Sequence, residues 1–360
     1  MNLMIIIAEM NRGGAEKMAA SLANRISGIE GNNVSILVYD NSKSAYILSS
    51  SIKYIKLKLS STELKLRLPV IWKVRKQIIE NHIDVVFGFS AGVSEIMPIA
   101  TVGLHCRIVG SERANPYNRS DSWLRRFITN LFLAHLDGVV FTTQGCRDYY
   151  SKNVQKKSII IPNGYEKTQV YREHCTKRSN SKDIIAVGNL RKVKDYPTMI
   201  EAFSIFQKKH HDFCLHIYGE GIEEKVINSL IKAYGLEKNI FLHGSINDLT
   251  NVYSSCRFLI HSSKSESWCN AILEALSFGV PCIAADCDFG PREMIRHGCN
   301  GYLYEVGNAE KLADYMEQLA ENDNLLNEMS LNARQNVQRF EFDNIFEQYY
   351  NFLKGSKDGR

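Results

Sequence analysis

Short apolar, β-branched runs alternate with longer amphipathic stretches along nearly the whole chain. In the first half the runs predict strands over NLMIIIAEM, NVSILVYD, IKYIKLK, DVVFGFS, CRIVGSE and GVVFTT. In the second half they predict strands over DIIAVGN, FCLHIYG, NIFLHG, RFLIHSS and VPCIAAD. Because these runs are apolar on both faces, they are typical of parallel sheets that helices cover on both sides. The pattern therefore predicts an α/β fold that is built twice, as two doubly wound domains.

The stretches between the runs predict the covering helices and the domain boundary. Examples of such helices are GGAEKMAASLANRI, YPTMIEAFSIFQKK and GIEEKVINSLIKAYG. A further apolar strand, SIII, ends at Pro162-Asn163-Gly164, and a polar stretch without periodicity follows until Asp183. We therefore predict a linker there, with domains at residues 1–165 and 166–342. The aromatic end, FEFDNIFEQYYNFLKG, predicts a helix over about 343–356 that packs either back on the first domain or on the second.

The composition narrows the class of protein. A chain of 360 residues, with 44% hydrophobic and 23% charged residues, suits a globular protein of two domains. Its nine cysteines are scattered and contain no C-x-x-C pair, which favours a reduced, cytoplasmic chain over a disulfide framework. The apolar start, MNLMIIIAEMNRGGAE, lacks a basic leader and predicts a buried first strand. No apolar run reaches the roughly 18 residues of a membrane span, so we expect a soluble or peripheral protein.

Charge is divided unevenly between the two halves. Residues 1–170 hold 22 Lys and Arg against 13 Asp and Glu, whereas the rest hold 22 against 26. The basic first half favours an anionic partner. Charge alone leaves open whether that partner is a phosphate-bearing substrate, a lipid surface or a nucleic acid.

Two turns that follow predicted strands are candidate anion sites, because ligands of open α/β sheets bind there. Gly13 and Gly14 precede a helix, where free N–H groups and the helix dipole favour an anion. This is not G-x-G-x-x-G, so a dinucleotide site is disfavoured, and a plain tight turn is the alternative. The turn GNLRKVKDYP gathers Arg191, Lys192 and Lys194, which predicts a cationic site of diphosphate size. A solvated basic loop is the alternative there.

The segment ESWCNAILEA places two carboxylates eight residues apart, with Glu266 in a loop and Glu274 one turn into a predicted helix. If Asn270 is the N-cap, the first N–H groups of that helix can hold an anion. An anion held between two hydroxyl-binding carboxylates matches a nucleotide sugar. A metal site fits poorly, because no His or third acid lies in register with the pair. A glycosidase also needs two carboxylates, but it does not need the cationic turn.

The longer segment SSKSESWCNAILEALSFGVPCIAAD resembles the E-x7-E signature of family 4 glycosyltransferases, retaining enzymes of the GT-B architecture. The resemblance extends in order over GGAE, IPNGY, VGNLRKVKDYPTMIEAF, IYGEG, NIFLHG and HGCNGYLYEVGNAEKLA. It implies two Rossmann-like domains facing across a cleft, of which the first binds an acceptor and the second a nucleotide-sugar donor. Transfer in this family is thought to need neither a protein nucleophile nor a metal, and we expect no cofactor.

The resemblance implies most donor contacts in the second domain. Glu274 would bind the ribose hydroxyls, and Glu266 would contact the hexose. Backbone N–H groups of Asn270 and Ala271 would hold sugar and phosphate. Lys194 matches the family lysine on the diphosphate, so Glu266 and Lys194 are candidate catalytic residues.

Further contacts follow from the same resemblance. Gly14 matches the glycine loop that closes over the diphosphate from the first domain. The base would lie against the loop near His243 and Gly244, mostly on backbone contacts.

The sequence departs from the family pattern at three places. Asn189 stands where the family usually has arginine, and Arg191 is our candidate to reach the same phosphate. Arg113 stands where many members have a histidine that touches the transferred sugar, so we include Arg113 among the candidate catalytic residues. Ser267, Trp268 and Cys269 replace the commoner Gly-Phe-Gly.

The acceptor is expected to meet the basic first domain. Residues 53–76 hold eight Lys and Arg, and YNRSDSWLRRFITNLFLAHL sets Trp123, Phe127 and Leu131 on one face beside Arg125 and Arg126. This arrangement predicts a surface for anionic lipid, with a core-packed helix as the alternative. Nucleic acid is disfavoured, because no groove-reading motif or stacking platform accompanies the basic residues.

The resemblance and the charge together predict the function. We expect a retaining transferase that moves a hexose or N-acetylhexosamine from a nucleotide sugar, UDP-linked, to a saccharide on a polyprenyl diphosphate, in bacterial surface-polysaccharide assembly. We expect it on the inner face of the cytoplasmic membrane. A sugar-nucleotide epimerase of the same architecture and a non-catalytic partner of another transferase are the alternatives.

Overall fold

Two parallel β-sheets organise the chain. The computed structural model describes residues 1–11, 13–41, 43–118, 122–167, 178–246 and 248–355. The chain forms two units, one of Met1–Gly164 with Phe342–Arg360 and one of Tyr165–Glu341. Most of the predicted linker, residues 168–177, lies outside the described residues.

The first unit is built on a seven-stranded sheet of order β3-β2-β1-β4-β5-β6-β7, with every pairing parallel. Its strands are β1 (Asn2–Ile7), β2 (Asn33–Val38), β3 (Lys53–Lys56), β4 (Val85–Gly88), β5 (Arg107–Glu112), β6 (Gly138–Phe141) and β7 (Ser158–Ile160). Its helices up to this point are α1 (Gly14–Ser27), α2 (Ser61–Leu66), α3 (Leu68–Glu80), α4 (Ala91–Ser94), α5 (Met97–Ala100), α6 (Trp123–Ala134), α7 (Gln144–Asp148) and α8 (Lys152–Gln155). Strands β1 and β4 are almost wholly buried, as their unbroken apolar sequences require.

The second unit is built on a six-stranded sheet of order β10-β9-β8-β11-β12-β13, also parallel throughout. Its strands are β8 (Asp183–Val187), β9 (Cys214–Tyr218), β10 (Ile240–Leu242), β11 (Phe258–His261), β12 (Cys282–Ala285) and β13 (Gly301–Tyr304). Its helices are α9 (Tyr196–Gln207), α10 (Glu224–Ala233), α11 (Thr250–Ser255), α12 (Asn270–Ser277), α13 (Pro291–Met294), α14 (Ala309–Glu321) and α15 (Asp323–Val337).

The last helix, α16 (Phe342–Lys354), belongs to the first unit. It packs against α1 and β4 and buries Tyr349 completely. Its aromatic stripe is therefore an apolar face in contact with the first sheet.

Both sheets reverse their strand order at one place, between β1 and β4 in the first and between β8 and β11 in the second. The prediction of two doubly wound, Rossmann-like domains is confirmed by these two sheets. Strand β13 is an addition to the predicted set. In such sheets ligands bind beyond the carboxyl ends of the strands at the reversal, so the loops after β8 and β11 are the first place to look.

Candidate functional site

The loops after β8 and β11 hold each other in place. After β8 the chain makes a short 3-10 turn over Lys192–Lys194. The hydroxyl of Ser262 donates to the carbonyl of Lys194 at 2.7 Å, and that of Ser263 donates to the carbonyl of Val193 at 3.1 Å. Two strand ends that are distant in sequence are thereby fixed against one another, and the backbone of Lys194 is held by the loop after β11.

Lys194 and Glu266 meet at this edge of the sheet. The Nζ of Lys194 lies 2.5 Å from Oε1 of Glu266, and their side chains are only 18% and 11% exposed. Burial opposes ionisation of Glu266 and by itself would raise its pKa. The ammonium of Lys194 and the imidazole of His261 together have the larger effect and lower the pKa to about 2. Burial likewise works against the charged form of Lys194, yet Glu266 leaves its pKa raised. The pair is therefore ionised across the neutral range.

His261 is a member of this cluster that the sequence reasoning missed. It is the last residue of β11, and its Nε2 lies 2.9 Å from Oε1 of Glu266. Sγ of Cys269 lies 3.4 Å from the same nitrogen. The expectation that no histidine lies in register with the pair did not consider His261, which reaches Glu266 because the loop after β11 folds Glu266 back over the end of its own strand. In the sequence, His261 could have been singled out as a polar residue at the end of an otherwise apolar run.

Glu274 lies on α12 and is tied to the preceding helix. The phenol of Tyr253, on α11, donates to Oε2 of Glu274 at 3.2 Å. The N-cap of α12 is Cys269 rather than Asn270, so the predicted cap was one residue late. Asn270 and Ala271 are thus the first two residues of the helix, and the N–H of Leu273 bonds back to the carbonyl of Cys269. The first-turn N–H groups point out of the helix as expected.

The remaining predicted donor residues of the second unit lie on the neighbouring strand ends. Asn189 and Arg191 are exposed in the turn after β8. The N–H of Leu190 donates to the carbonyl of Glu220 at 2.9 Å, and that of Gly219 donates to Gly244 at 2.8 Å. These bonds link the turns after β8, β9 and β10 in a row. Gly219 has φ 149°, and a Cβ on it would lie 2.0 Å from the carbonyl oxygen of Gly188, so this close approach requires glycine.

His243 sits in a stack of rings beside these turns. It stacks on Tyr218 with centroids 4.6 Å apart, and its Nε2 lies 2.8 Å from Nδ1 of His216. The other nitrogen of His216 lies 3.2 Å from Oδ1 of Asp183. Partial burial, with the nearby His216, lowers the pKa of His243. The imidazole of His243 is therefore neutral at pH 7.

Two predicted residues lie in the first unit. Gly14 is the first residue of α1, directly after Gly13, whose N–H and carbonyl both bond the hydroxyl of Tyr46, at 2.9 and 2.7 Å. Arg113 follows β5, and its guanidinium donates to the side chains of Asn163 and Tyr349 at 3.0 and 2.6 Å. It also lies 4.2 Å above the ring of Phe89.

The arrangement in the second unit suits a phosphorylated sugar ligand. A cation and the N–H groups of a helix terminus are the usual partners of phosphate, and an ionised carboxylate accepts hydrogen bonds from hydroxyls. Lys194, the start of α12 and the two carboxylates supply all three kinds of contact on one sheet edge.

Comparison with known proteins gives matches over most of the chain. The model of Glycosyltransferase Family 4 matches residues 12–169, and that of Glycosyl transferases group 1 matches residues 168–336. An uncharacterized glycosyltransferase of Haemophilus influenzae is 24% identical over 95% of this chain and 96% of its own.

Two further similarities cover nearly the full length of both partners. A Campylobacter jejuni protein named GalNAc-alpha-(1->4)-GalNAc-alpha-(1->3)-diNAcBac-PP-undecaprenol alpha-1,4-N-acetyl-D-galactosaminyltransferase is 22% identical over 99% of both chains. The crystal structure of an Anabaena protein in complex with UDP and glucose superposes with a TM-score of 0.84 at 18% identity, covering 98% of this chain and 99% of that one. From the two family matches and the two Rossmann-like sheets, the chain belongs to the family 4 glycosyltransferases of the GT-B architecture.

Proposed function

We propose that this glycosyltransferase moves a hexose or N-acetylhexosamine from a UDP-linked donor, with retention of configuration, to a saccharide on a lipid diphosphate. The observation that carries the proposal is the buried Lys194–Glu266 ion pair beside the first turn of α12. A cation, helix N–H groups and two carboxylates on one sheet edge are the contacts that a diphosphate flanked by two sugars needs.

Each residue of this edge has a proposed contact. Lys194 and the N–H groups of Asn270 and Ala271 bind the diphosphate. Glu274 accepts hydrogen bonds from the ribose hydroxyls, and Glu266 accepts one from the hexose. Glu266 is suited to that role because its pKa of about 2 keeps it an acceptor at any physiological pH.

The remaining assignments are proposed on position. His243 and Gly244 lie against the base, where the neutral imidazole offers a flat ring. Asn189 and Arg191 add polar contacts to phosphate from the exposed turn after β8. In the first unit we propose that Gly14 contacts the diphosphate and Arg113 the transferred sugar.

The proposed chemistry needs stabilisation of the leaving group more than a nucleophile. As the bond from the anomeric carbon to the diphosphate breaks, negative charge grows on the phosphate oxygens, and Lys194 and the α12 amides offset it. The leaving diphosphate stays on the same face and takes the acceptor's hydroxyl proton while the acceptor oxygen bonds to the anomeric carbon. Retention follows, because departure and attack share one face.

The relatives support the choice of donor and acceptor. The Anabaena structure was determined with UDP and glucose, and the name of the Campylobacter jejuni enzyme gives an undecaprenol-PP-linked acceptor. Family membership favours transfer over epimerisation.

We propose further that the first unit binds an anionic membrane surface through a face that we call the aromatic face, made of Trp72, Trp123, Phe127 and Leu131. Trp72, Trp123 and Phe127 are 63%, 80% and 59% exposed, which argues against the alternative of a core-packed helix. Nζ of Lys76 lies 5.8 Å from the centroid of the Trp72 ring, so a cation borders the apolar side chains. Among the described helices, none has both the length and the apolar character to cross a bilayer.

A buried carboxylate holds the two parts of the aromatic face together. Glu95 is fully buried and accepts hydrogen bonds from Arg67, at the start of α3, and Arg125, on α6, at 2.9 and 2.6 Å. The hydroxyl of Thr129 donates to the other oxygen of Glu95 at 2.8 Å. The starts of α3 and α6 are therefore held by one carboxylate, and on this ground we place the exposed rings of the two helices on one surface.

A donor screen tests the catalytic proposal. Purified protein is incubated with UDP-, GDP- and ADP-sugars in the presence of EDTA, with and without a membrane-lipid extract, and release of nucleoside diphosphate is followed. We expect release from a UDP-sugar that Glu274→Gln abolishes, and an axial linkage in the lipid product by NMR. Silence on every donor with lipid present would favour a non-catalytic partner, and an inverted product would exclude retention.

Vesicle flotation tests the membrane proposal. We expect the wild type to float with vesicles containing anionic lipid at low salt and to stay unbound with neutral vesicles. The Trp123→Ala/Phe127→Ala variant is expected to lose most of the binding, and Ile222→Ala, an exposed apolar residue of the second unit, is the matched control. Equal flotation of all three proteins would exclude the aromatic face as the membrane-binding surface.

A further inference from the structure

The cluster around Glu266 brings together three metal-ligating atoms, and the transfer reaction does not need them as a set. Nε2 of His261 lies 2.9 Å from Oε1 of Glu266 and 3.4 Å from Sγ of Cys269. One ligating atom from each residue lies within 4.8 Å of the other two. We propose that these three residues bind a thiophilic divalent cation such as Zn²⁺, and that the bound cation blocks the donor site.

Two of the three separations are close to those of a zinc centre. In a tetrahedral site with Zn–S of about 2.3 Å and Zn–N and Zn–O of about 2.0 Å, nitrogen lies about 3.6 Å from sulfur and about 3.3 Å from oxygen. The observed 3.4 and 2.9 Å are each a few tenths of an ångström shorter, so Cys269 and Glu266 need to move only slightly away from His261, and the third separation lies within 4.8 Å. Imidazole, thiolate and carboxylate are a donor set that zinc accepts, with the fourth position left to water.

Two of the ligands stand on regular structure. His261 ends β11, and Cys269 is the N-cap of α12, so both are held before any cation arrives. Glu266, on the loop between them, is the adaptable third ligand. Zinc binds the thiolate of Cys269 and the unprotonated Nε2 of His261, so any proton that either group carries is released to solvent on binding.

Lys194 is the natural competitor of the cation. Its ammonium lies 2.5 Å from the same oxygen of Glu266 that the cation would take, so binding requires the lysine side chain to turn away. Only the backbone of Lys194 is fixed by Ser262, which leaves its side chain able to do so. Substituting the lysine with a neutral residue is therefore expected to tighten cation binding, since it removes a like charge.

Blocking of the donor site follows from the same displacement of the Lys194 side chain. With Glu266 bound to the cation and Lys194 turned away, the residues proposed for the hexose and for the diphosphate are both withdrawn. This blocking effect rests on the proposed function, whereas cation binding itself does not.

The test is a titration of the metal-free, full-length protein with Co²⁺, which reports thiolate ligation through a near-ultraviolet charge-transfer band. We expect the band in the wild type and in Cys299→Ser, which removes a partly exposed cysteine of the same unit. In Cys269→Ser we expect the band to vanish and affinity to fall at least about tenfold. In Lys194→Met we expect several-fold tighter binding. Circular dichroism establishes that each variant is folded, with Cys269→Ala as a second variant should the serine misfold.

Contrary results are equally specific. A band that persists in both Cys269 variants, or weaker binding in Lys194→Met, would overturn the site. A third result is a band that depends on Cys269 while the midpoint of the Co²⁺ titration is unchanged by saturating UDP. That result would support the cation site but overturn the proposal that the cation blocks the donor site. Where UDP raises the Co²⁺ midpoint and Zn²⁺ inhibits donor turnover in the wild type but not in Cys269→Ala, both parts hold.

Discussion

The phenol of Tyr253 donates a hydrogen bond of 3.2 Å to Oε2 of Glu274, and so connects the carboxylate proposed for ribose binding to the preceding helix. Tyr253 is itself fixed, since its ring stacks on Phe278 and its carbonyl accepts from the buried guanidinium of Arg178 at 3.1 Å. Glu274 therefore has its direction set by a rigid neighbour, which lowers the entropic cost of presenting it to a ligand.

Removing that hydroxyl tests whether the orientation matters. Tyr253→Phe is expected to raise the KM for the donor roughly three- to tenfold, because a typical intramolecular hydrogen bond contributes about 1 kcal/mol net. The kcat is expected to change little, since ribose contacts are the same in the ground state and the transition state. Steady-state kinetics of donor turnover measure KM and kcat separately. Tyr234→Phe, on an exposed tyrosine of the same unit, is the control, and equal KM values for the two variants would contradict the role.

Loss of the Lys194 charge is expected to act on kcat instead. Lys194→Ala should lower kcat by about 100- to 1000-fold while the protein stays folded, because a donor aimed at developing charge is lost. Lys192→Ala, two residues away in the same turn but exposed, is the matched control and should retain most of the activity. Comparable losses in both variants would point to general electrostatic attraction of the donor rather than to one contact.

The loop that carries Glu266 depends on a glycine of the following turn. Gly290 has φ 87°, and a Cβ there would lie 3.2 Å from Cα of Trp268 and 3.3 Å from Cβ of Glu266. Gly290→Ala is therefore expected to lower the free energy of unfolding by about 1–3 kcal/mol and to impair turnover. Alanine would be strained at this positive φ, and its Cβ would press on the loop that carries Glu266.

A second glycine separates these two effects. Gly298 has φ 76° with nothing within 4 Å of its Cβ position, so Gly298→Ala carries the backbone strain alone. Urea unfolding of both variants measures the difference. If Gly298→Ala proves as costly as Gly290→Ala, with the same activity, the contact with the Glu266 loop has no consequence.

The outline of the fold was readable from the sequence, because strands buried on both faces leave an unbroken apolar pattern. Strand β13 was missed for the opposite reason. It is four residues long, begins with Gly301 and lies between turn-rich stretches, so its own pattern is too short to stand out. Glycine is needed there, since a Cβ would lie 2.1 Å from the carbonyl oxygen of Cys282 on the neighbouring strand. Such a tertiary requirement leaves no periodic signal.

The site was predicted in part. Spacing and turn chemistry singled out Glu266, Glu274 and Lys194, but they carried no information on which side chains the folded loops would add. His261 and Tyr253 reach the two carboxylates only because one loop folds back over its strand and α11 places Tyr253 beside α12. Contacts of that kind depend on chain path, which local sequence does not encode.

The paired histidines of the second unit predict a pH dependence. The pKa of His243 is lowered by partial burial and by His216, so the folded state binds fewer protons than the unfolded chain just below pH 6.5. Stability is therefore expected to rise with pH through that window and to be lost as pH falls through it. His216→Leu should raise the pKa of His243, as measured by NMR of labelled imidazole rings. His211→Gln, on an exposed histidine, is the control, and an unchanged His243 pKa in His216→Leu would refute the coupling.

The buried carboxylate of Glu95 is expected to matter more for stability than any exposed ion pair. Glu95→Gln leaves the guanidinium groups of Arg67 and Arg125 without their shared counter-charge, and the amide can accept through one oxygen only. We expect a loss of about 1–3 kcal/mol, the usual cost of an unsatisfied buried group, and a thermal midpoint lower by roughly 2–4 °C per kcal/mol. Glu63→Gln is the matched control, because Glu63 pairs with Lys73 nearby but nearer the surface, and it should change the midpoint little. Scanning calorimetry at low and high salt measures both. If the two variants unfold together, Glu95 does not hold α3 and α6 in place, and the aromatic face would have to be organised by apolar packing alone.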